Sequence, residues 1–400
     1  MNRDLTFLFL SRATRLHAFG MTSVMLALHL ARRGLSAADV GLLFTLALLT
    51  DAALTLMLST RADRWGRRRT LMLSGFLMAL AGMFLALGDS WWVIFVGITI
   101  GVISPGGNEV GPFLAIEQAC LAECAATKQR TQLLAWYNVT GFAATAVGAL
   151  SAGAWLKSAG SEAGASLVLW AYAASGGVVM LLAMLLTPKV ETTSEKRAPR
   201  AKAHWTGLEE SRSKVARLGG LFALDSFAGG FIPQSLLAYW FASRWSLTEW
   251  ELGQVFFATS LLSGISGLVA ARLAQKIGMI NTMVFTHLPS NVLLMLIPAM
   301  PSAGLAIGCL LLRHCLSQMD VPVRQSYVMS LVRPDERSAA NGIIATVRSL
   351  SAALSPMLAG GLLSPSAWLS GPLLIAGGLK SLYDVLLFRA FGSIPPEQER

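Results

Sequence analysis

The sequence predicts an all-α membrane protein in which twelve transmembrane helices form two pseudo-symmetric six-helix bundles. Of its 400 residues, 54% are hydrophobic and 14% are charged, and the mean hydropathy is +0.57. Soluble domains contain about 25% charged residues, so this composition excludes a water-soluble globular protein. The apolar segments are continuous and close to the length of about 20 residues that a helix needs to cross a bilayer. They lack the alternation of membrane-spanning strands, and helices are therefore expected.

Apolar runs separated by charged residues or by Gly, Pro and Asn predict the twelve spans in order. In the first half they lie near 6–30, 38–58, 70–87, 92–123, 131–156 and 166–187. In the second half they lie near 218–243, 247–271, 279–299, 303–331, 338–363 and 367–390. The first span carries Arg12 and Arg15 within its apolar stretch, which favours a retained membrane helix over a cleaved signal peptide.

The polar segment 188–217 separates the two halves and contains eight Lys or Arg residues, which predicts a cytoplasmic linker. The predicted domains are therefore 1–187, the linker 188–217, and 218–400. The last part of the linker, residues 206–217, is compatible with a short helix on the membrane surface.

The segment between the second and third spans, residues 59–69, reads Ser-Thr-Arg-Ala-Asp-Arg-Trp-Gly-Arg-Arg-Arg. It contains five arginines and one acidic residue, and excess Lys and Arg marks the cytoplasmic side of a membrane. With this orientation, the predicted cytoplasmic segments hold nineteen Lys or Arg residues and the opposite loops hold four. Both chain termini are therefore expected in the cytoplasm, and the cytoplasmic (inner) cell membrane is the expected location.

The same loop resembles the signature of the major facilitator superfamily of secondary transporters, which reads Gly-x-Leu-Ala-Asp-Arg-x-Gly-Arg-Lys. The residues that fit are Ala62, Asp63, Arg64, Gly66, Arg67 and Arg68. Ser59 stands in place of the first Gly, and Arg61 in place of the Leu. The resemblance implies two bundles that rock about a central site, with the loop residues as a gating latch on the cytoplasmic side. The alternative is a basic loop that serves orientation alone.

A weak internal repeat supports two related halves, as expected for a transporter built from two bundles. Residues 64–66 correspond to residues 276–278 at an offset of 212. Two further pairs share an offset of 207, namely Glu117 with Arg324 and Arg130 with Arg337. These four residues lie near predicted cytoplasmic ends, where Glu117 and Arg324 are expected to form gating ion pairs with Arg130 or Arg337. Direct contact with substrate is the alternative.

On insertion scales, each charged residue at the centre of a span raises the free energy of membrane insertion by about 2.5–3.5 kcal/mol. Each such residue therefore needs a partner, a water-filled cavity or a function. The deepest are Arg15, Asp51, Glu109, Asp225, Asp320 and Arg348. We expect these to face the central cavity as substrate or proton sites, with structural pairing as the alternative. Arg15 and Asp51 lie at similar depth, which predicts an ion pair. Lys380 and Asp384 are four residues apart on one helix and are expected to pair with each other.

Two predicted spans contain helix-breaking sequences. Residues 104–112 hold two prolines and three glycines around Glu109, which predicts a broken or kinked fourth span that either lines a cavity or packs inside the protein. The tenth span has a similar disturbance between Arg313 and Arg324, which includes Pro322.

No cofactor, metal site or catalytic site is predicted. The net charge of +10 lies in membrane-surface loops, so it does not indicate nucleic acid as a partner. The four cysteines lack the spacing of a zinc site or disulfide framework. Cys120 and Cys124 share a helix face. They are interpreted as ordinary packing residues, and binding of a soft metal is the alternative. The sequence shows neither a nucleophile paired with a base nor a phosphate-binding glycine loop, so it gives no indication of an enzyme.

We expect a monomeric transporter that moves small molecules by alternating access, coupled to protons through Glu109 and Asp225. Substrate entry that breaks a buried carboxylate–arginine pair changes its proton affinity. Export of a drug, toxicant or metabolite is the first expectation, because transporters of this size and loop pattern are often exporters. Uptake or exchange of an anionic metabolite is the alternative, motivated by Arg15, Arg348 and Arg313. A membrane sensor that does not transport is an alternative of another class.

Overall fold

The computed structural model describes residues 3–88, 90–100, 102–124, 130–191, 211–333, 336–363 and 368–392. Regular structure within these ranges is helical, with no strand, which confirms the predicted all-α membrane fold. The first helices are α1 (Arg3–Arg32), α2 (Ala37–Trp65), α3 (Arg67–Leu87), α4 (Trp91–Ile100), α5 (Phe113–Cys124), α6 (Arg130–Ala159) and α7 (Ser161–Met184). They are followed by α8 (Arg212–Gly230), α9 (Gln234–Trp245), α10 (Glu249–Ile277), α11 (Met279–Leu296), α12 (Ala303–Leu316), α13 (Asp320–Leu331), α14 (Arg337–Leu362) and α15 (Gly371–Phe391).

Nine helical segments in the described ranges are long and apolar enough to cross a membrane. Helix α1 is 30 residues long, and it carries several of the buried charged residues described below. Three predicted spans each consist of two consecutive helices: α4 and α5, α8 and α9, and α12 and α13. The number of twelve crossings stays a prediction.

The break between α4 and α5 confirms the prediction made from residues 104–112. Gly107 and Gly111 adopt φ values of +66° and +80°, in the left-handed region that glycine enters without steric strain. The interruption between α12 and α13 is likewise confirmed. The break between α8 and α9 was not predicted. It falls just before Gln234, where Pro233 lacks the N–H that would continue the hydrogen bonding of α8.

Single glycines connect two pairs of long helices and reproduce the internal repeat. Gly66 links α2 to α3 with φ +98°, and Gly278 links α10 to α11 with φ +85°. Both positions need a left-handed backbone, which explains the glycine in each copy. The charged segment is therefore not an extended loop, because Asp63 and Arg64 belong to the last turn of α2.

The chain divides into two compact units. The first unit comprises Met1–Ala198 and Pro233–Leu261, and the second comprises Pro199–Ile232 and Leu262–Arg400. The predicted domain limits stay a prediction, because residues 192–210 of the linker lie outside the described ranges. Of the surface helix expected at 206–217, the described part from 212 onward belongs instead to the start of α8.

Glycine packing joins α3 to α7 in the first unit. A Cβ atom on Gly75 would lie 2.8 Å from the backbone nitrogen of Met180, and one on Gly176 would lie 2.3 Å from that of Ala79. The absence of side chains at these positions lets the two backbones approach closely, a common arrangement between membrane helices.

The second unit buries an apolar cluster contributed mainly by α8, α11, α13 and α15. Its larger members are Leu218, Phe222, Met283, Tyr327, Tyr383, Leu387 and Phe391. This cluster surrounds the charged side chains of the second unit described below.

Substituting Gly176 by Ala should destabilise the protein by about 1–3 kcal/mol, since the new methyl group collides with the α3 backbone. The adjacent Gly177 is the matched control, because a Cβ there meets nothing within 4 Å. Gly177→Ala should be neutral or stabilising by up to about 1 kcal/mol through helix propensity. Thermal unfolding of the purified variants measures both effects, and equal losses at the two positions would contradict the close α3–α7 approach.

Candidate functional site

The charged cluster of the first unit is centred on Arg15 of α1, whose side chain is fully buried. Its Nε donates to Glu109 Oε1 at 2.8 Å. Its two terminal nitrogens donate to the two carboxylate oxygens of Glu117, each at 3.0 Å. Bidentate pairing of this kind is the strongest geometry for an arginine and a carboxylate. Arg15 therefore ties α1 both to α5 and to the broken segment before it.

Arg12 and an aromatic residue complete this cluster. The Arg12 guanidinium donates to Glu109 at 2.6 Å and lies 4.1 Å from the centre of the Tyr137 ring. The Tyr137 hydroxyl donates to Glu117, and Ser11 Oγ donates to the same carboxylate at 2.7 Å. Arg12 was expected near the lipid headgroups, but it is buried. Two arginines and two glutamates therefore neutralise each other in this unit.

Asp51 does not join Arg15, and the predicted ion pair between them is wrong. The Asp51 carboxylate accepts a hydrogen bond from the backbone N–H of Gly111 at 2.6 Å. It thus satisfies a backbone group that the break between α4 and α5 leaves without a helical partner. Depth along a helix, counted from the sequence, does not determine which side of the helix a residue occupies.

The charged cluster of the second unit is centred on Asp225 of α8. Lys380 Nζ donates to Asp225 Oδ1 at 2.6 Å, and Arg324 donates to Asp225 Oδ2 at 3.0 Å. Arg324 also lies 3.1 Å from Asp320, one helical turn before it. The side chains of these residues are no more than 10% exposed. Asp225 therefore links α8 to both α13 and α15.

Two residues of α11 extend this cluster, and neither was identified from sequence. His287 Nδ1 lies 2.8 Å from Asp384 Oδ1, and its Nε2 lies 3.9 Å from Asp225. Asn291 donates to the other oxygen of Asp384 at 2.9 Å. The predicted Lys380–Asp384 pair is therefore wrong, since Lys380 binds Asp225 and Asp384 binds α11. A polar His-x-x-x-Asn pattern on one face of an apolar span was the available signal.

The two clusters contain the same ion pair with its charges exchanged. Arg15 pairs with Glu117 in the first unit, and Asp225 pairs with Arg324 in the second, in each case at 3.0 Å. The sequence offsets of 210 and 207 relate these positions, so the weak repeat corresponds to a shared structural element. Each pair joins the first helix of its half to the helix after the break.

Glu117 and Arg324 thus take part in buried pairs and not in the expected pairs at the cytoplasmic ends. Their partners are Arg15 and Asp225. A gating role for Arg130 and Arg337 stays a prediction.

Two further arginines in the second unit differ from those above. Arg348 of α14 donates through Nε to Ser226 Oγ at 3.0 Å. Arg313 of α12 is 9% exposed, and its guanidinium lies 3.4 Å from His314 Nε2 while its own Nε has no hydrogen-bond partner. Neither arginine has a carboxylate within ion-pair distance among the described residues.

The signature segment forms a local network in the first unit. Arg67 Nε donates to Asp63 Oδ1 at 2.9 Å, and the backbone N–H groups of Arg67 and Arg68 donate to the carboxylate of Glu191 at 2.7 and 3.1 Å. The carboxylate at the N-terminus of α3 is thus Glu191. An acidic group there is favoured by the helix dipole. The gating latch proposed for Asp63, Arg64, Gly66, Arg67 and Arg68 stays a prediction.

Comparisons with known proteins agree with this architecture. A sequence profile described as Major Facilitator Superfamily matches residues 8–356. The uncharacterized membrane protein YJR124C of Saccharomyces cerevisiae is 26% identical over 420 residues, which cover 96% of this chain and 93% of the yeast protein.

Two solved structures show the same fold at low identity. The crystal structure of nucleoside transporter NupG has a TM-score of 0.74 and 15% identity, and covers 98% of this chain and 99% of that chain. The crystal structure of the human organic anion transporter MFSD10 (TETRAN) has a TM-score of 0.67 and 18% identity, and covers 96% of this chain and 99% of that chain.

Substituting Glu117 by Gln should lower the free energy of unfolding by about 3–5 kcal/mol, because it leaves the buried Arg15 charge partly uncompensated. Glu162→Gln is the control, since that side chain is 68% exposed and should change stability by no more than about 0.5 kcal/mol. Thermal unfolding monitored by intrinsic fluorescence gives the comparison. A Glu117 variant as stable as the control would show that the pair does not hold α1 to α5.

Proposed function

Because the chain belongs to the Major Facilitator Superfamily and is a membrane transporter, not an enzyme, we propose that its substrate is a small organic anion carried by alternating access. The proposal rests on one observation in the second unit. Arg313 of α12 and Arg348 of α14 lie without a carboxylate partner among the described residues, whereas the neighbouring cations Arg324 and Lys380 are paired.

The energetic argument is that a cation inside the membrane is costly unless something compensates it. Arg313 is nine-tenths buried. Within the described ranges, its one hydrogen-bonding contact joins its guanidinium to His314 Nε2 at 3.4 Å. One turn later, the buried Ser317 hydroxyl also has no partner in the described part of the chain. An anionic substrate would offset the charge of both arginines and would accept hydrogen bonds that are otherwise unmade.

The described residues of the first unit offer no comparable surplus of buried positive charge. Their buried arginines, Arg12, Arg15 and Arg67, are matched by Glu109, Glu117 and Asp63. Arg15 is therefore removed from the residues that motivated an anionic substrate at the sequence level, while Arg313 and Arg348 remain. The name of MFSD10 describes that protein as an organic anion transporter. Its 18% identity bears on the fold alone, so the substrate proposal rests on the arginines.

We also propose that transport is coupled to protons. The distribution of Lys and Arg supports a location in the cytoplasmic membrane with both termini in the cytoplasm. The substrate argument favours an anionic substrate, which was the alternative to the first expectation from sequence, namely export of a drug, toxicant or metabolite. Export stays a prediction, because binding of an anion does not fix the direction of its movement.

Ligand-dependent thermal unfolding of the purified protein tests the substrate class. The probes are benzoate, succinate and glucuronate as anions, uridine as a neutral compound, and tetraphenylphosphonium as a lipophilic cation. We expect at least one anion to raise the unfolding temperature. Arg348→Ala and Arg313→Ala should each weaken its apparent affinity by about 10- to 100-fold, because hydrogen bonds to charged groups contribute about 1.5–3 kcal/mol.

Arg389→Ala is the matched control, since Arg389 lies at the exposed end of α15. It should leave the affinity unchanged, and Arg348→Lys should restore part of the loss by restoring the charge. Stabilisation by tetraphenylphosphonium alone, or equal anion affinity in all three alanine variants, would contradict the proposal.

A further inference from the structure

Corresponding pairs of helices in the two units share glycine packing, but the second unit adds buried polar side chains. In the first unit α3 meets α7 through glycine, as at Gly75 and Gly176. In the second unit a Cβ on Gly377 of α15 would lie 3.0 Å from the backbone oxygen of Asn291 in α11. The same two helices also bury His287, Asn291, Lys380 and Asp384. Close helix packing does not need these polar residues, so they call for a functional explanation.

His287 is positioned between two carboxylates. Its Nδ1 lies 2.8 Å from Asp384 Oδ1 and 3.2 Å from the amide nitrogen of Asn291. Asn291 donates to the second oxygen of Asp384 at 2.9 Å. We assign the Nδ1 proton to the shorter contact with the carboxylate, which leaves Nε2 as the nitrogen that can gain or lose a proton. Nε2 lies 3.9 Å from Asp225 Oδ1.

The Asp384 carboxylate is the member of this group without a permanent cation. Asp225 binds Arg324 and Lys380, and Asp320 lies beside Arg324. Among the described residues, Asp384 contacts His287 and Asn291 and no lysine or arginine. A proton on His287 would therefore supply the positive charge that this buried carboxylate lacks.

We propose that His287 carries the coupling proton of this transporter, bound at Nε2 between Asp384 and Asp225. The inference rests on the proposed function, since it assigns the proton of that same transport cycle. The proton comes from water and adds to the Nε2 lone pair, and no other covalent bond changes. No carboxylate of the first unit is required for this step.

The groups that face this site come from every helix packed around it. They are Asp225 from α8, Arg313 and His314 from α12, Asp320 and Arg324 from α13, Arg348 from α14, and Lys380, Tyr383 and Asp384 from α15. Arg313 and Arg348 act electrostatically on Asp225 without binding it. An anion bound to both arginines would offset their positive charge near Asp225.

A chain of contacts connects the proton to the anion. Protonated His287 attracts Asp225 and competes with Arg324 and Lys380 for its oxygens. Ser226, the next residue on α8, holds Arg348 at 3.0 Å. A change at Asp225 therefore reaches Arg348 through one residue of α8. By thermodynamic linkage, a bound anion raises the affinity for the proton by the same factor by which a bound proton raises the affinity for the anion.

Nitrogen-15 NMR of the full chain in lipid nanodiscs, with labelled histidine, tests the assignment without any substrate. The five histidines are His17, His29, His204, His287 and His314. Between pH 5 and 9 we expect one ring whose Nδ1 stays protonated while Nε2 releases a proton. This signal should be missing from His287→Gln and present in the matched control His314→Gln. Asp384→Asn should abolish the fixed Nδ1–H tautomer.

Transport supplies the second measurement, with the anion found by the stability screen. His287→Gln retains a donor to Asp384 and removes the nitrogen Nε2 that takes the proton. Its accumulation driven by a pH gradient should fall at least tenfold. The melting temperature of His287→Gln verifies folding, and Asp384→Asn serves in its place where His287→Gln does not fold.

Three results would overturn the assignment: persistence of the titrating signal in His287→Gln, a His287 ring that keeps one protonation state from pH 5 to 9, or gradient-driven accumulation that survives the substitution. Failure of every anion in the screen would overturn the proposed function alone, because the NMR titration proceeds without ligand.

Discussion

A buried ion pair between the first helix of each half and the helix that follows a break is the interaction on which the fold depends. Arg15 and Glu117 form it in the first unit, and Asp225 and Arg324 in the second. Inside a membrane protein, separating such a pair leaves a charge without solvent or partner, so the two helices are held at a fixed register. The break between α4 and α5 tolerates its irregular backbone in part because Asp51 accepts a hydrogen bond from the N–H of Gly111.

The sequence predicted features that depend on composition and spacing along one helix. Continuous apolar runs identified the helices, the Pro- and Gly-rich segment around Glu109 identified a break, and Gly66 and Gly278 marked the repeated turn. Partners across helices were not predictable in the same way. Residue depth follows from counting along the chain, whereas the direction of a side chain depends on packing, which is why the pairs Arg15–Asp51 and Lys380–Asp384 were wrong.

The two units share an architecture but distribute charge differently. In the first unit every buried arginine of the cluster has a glutamate partner, and the supporting helices α3 and α7 meet through glycine. In the second unit the supporting helices carry His287 and Asp384, and Arg313 and Arg348 lack carboxylates among the described residues. This difference is the physical basis for placing both anion and proton binding in the second unit. A repeated sequence motif could not reveal it, because the motif reports what the halves have in common.

A double-mutant cycle on the Arg15–Glu117 pair tests the central claim most directly. Arg15→Met, Glu117→Met and the double variant are unfolded in mixed micelles, and the free energy of unfolding is compared with wild type. If the buried pair joins α1 to α5, each single variant loses several times more stability than a surface substitution, and the double variant is more stable than the sum of the two losses predicts by at least about 2 kcal/mol. Strictly additive losses would show that the two side chains act independently, and would contradict the account.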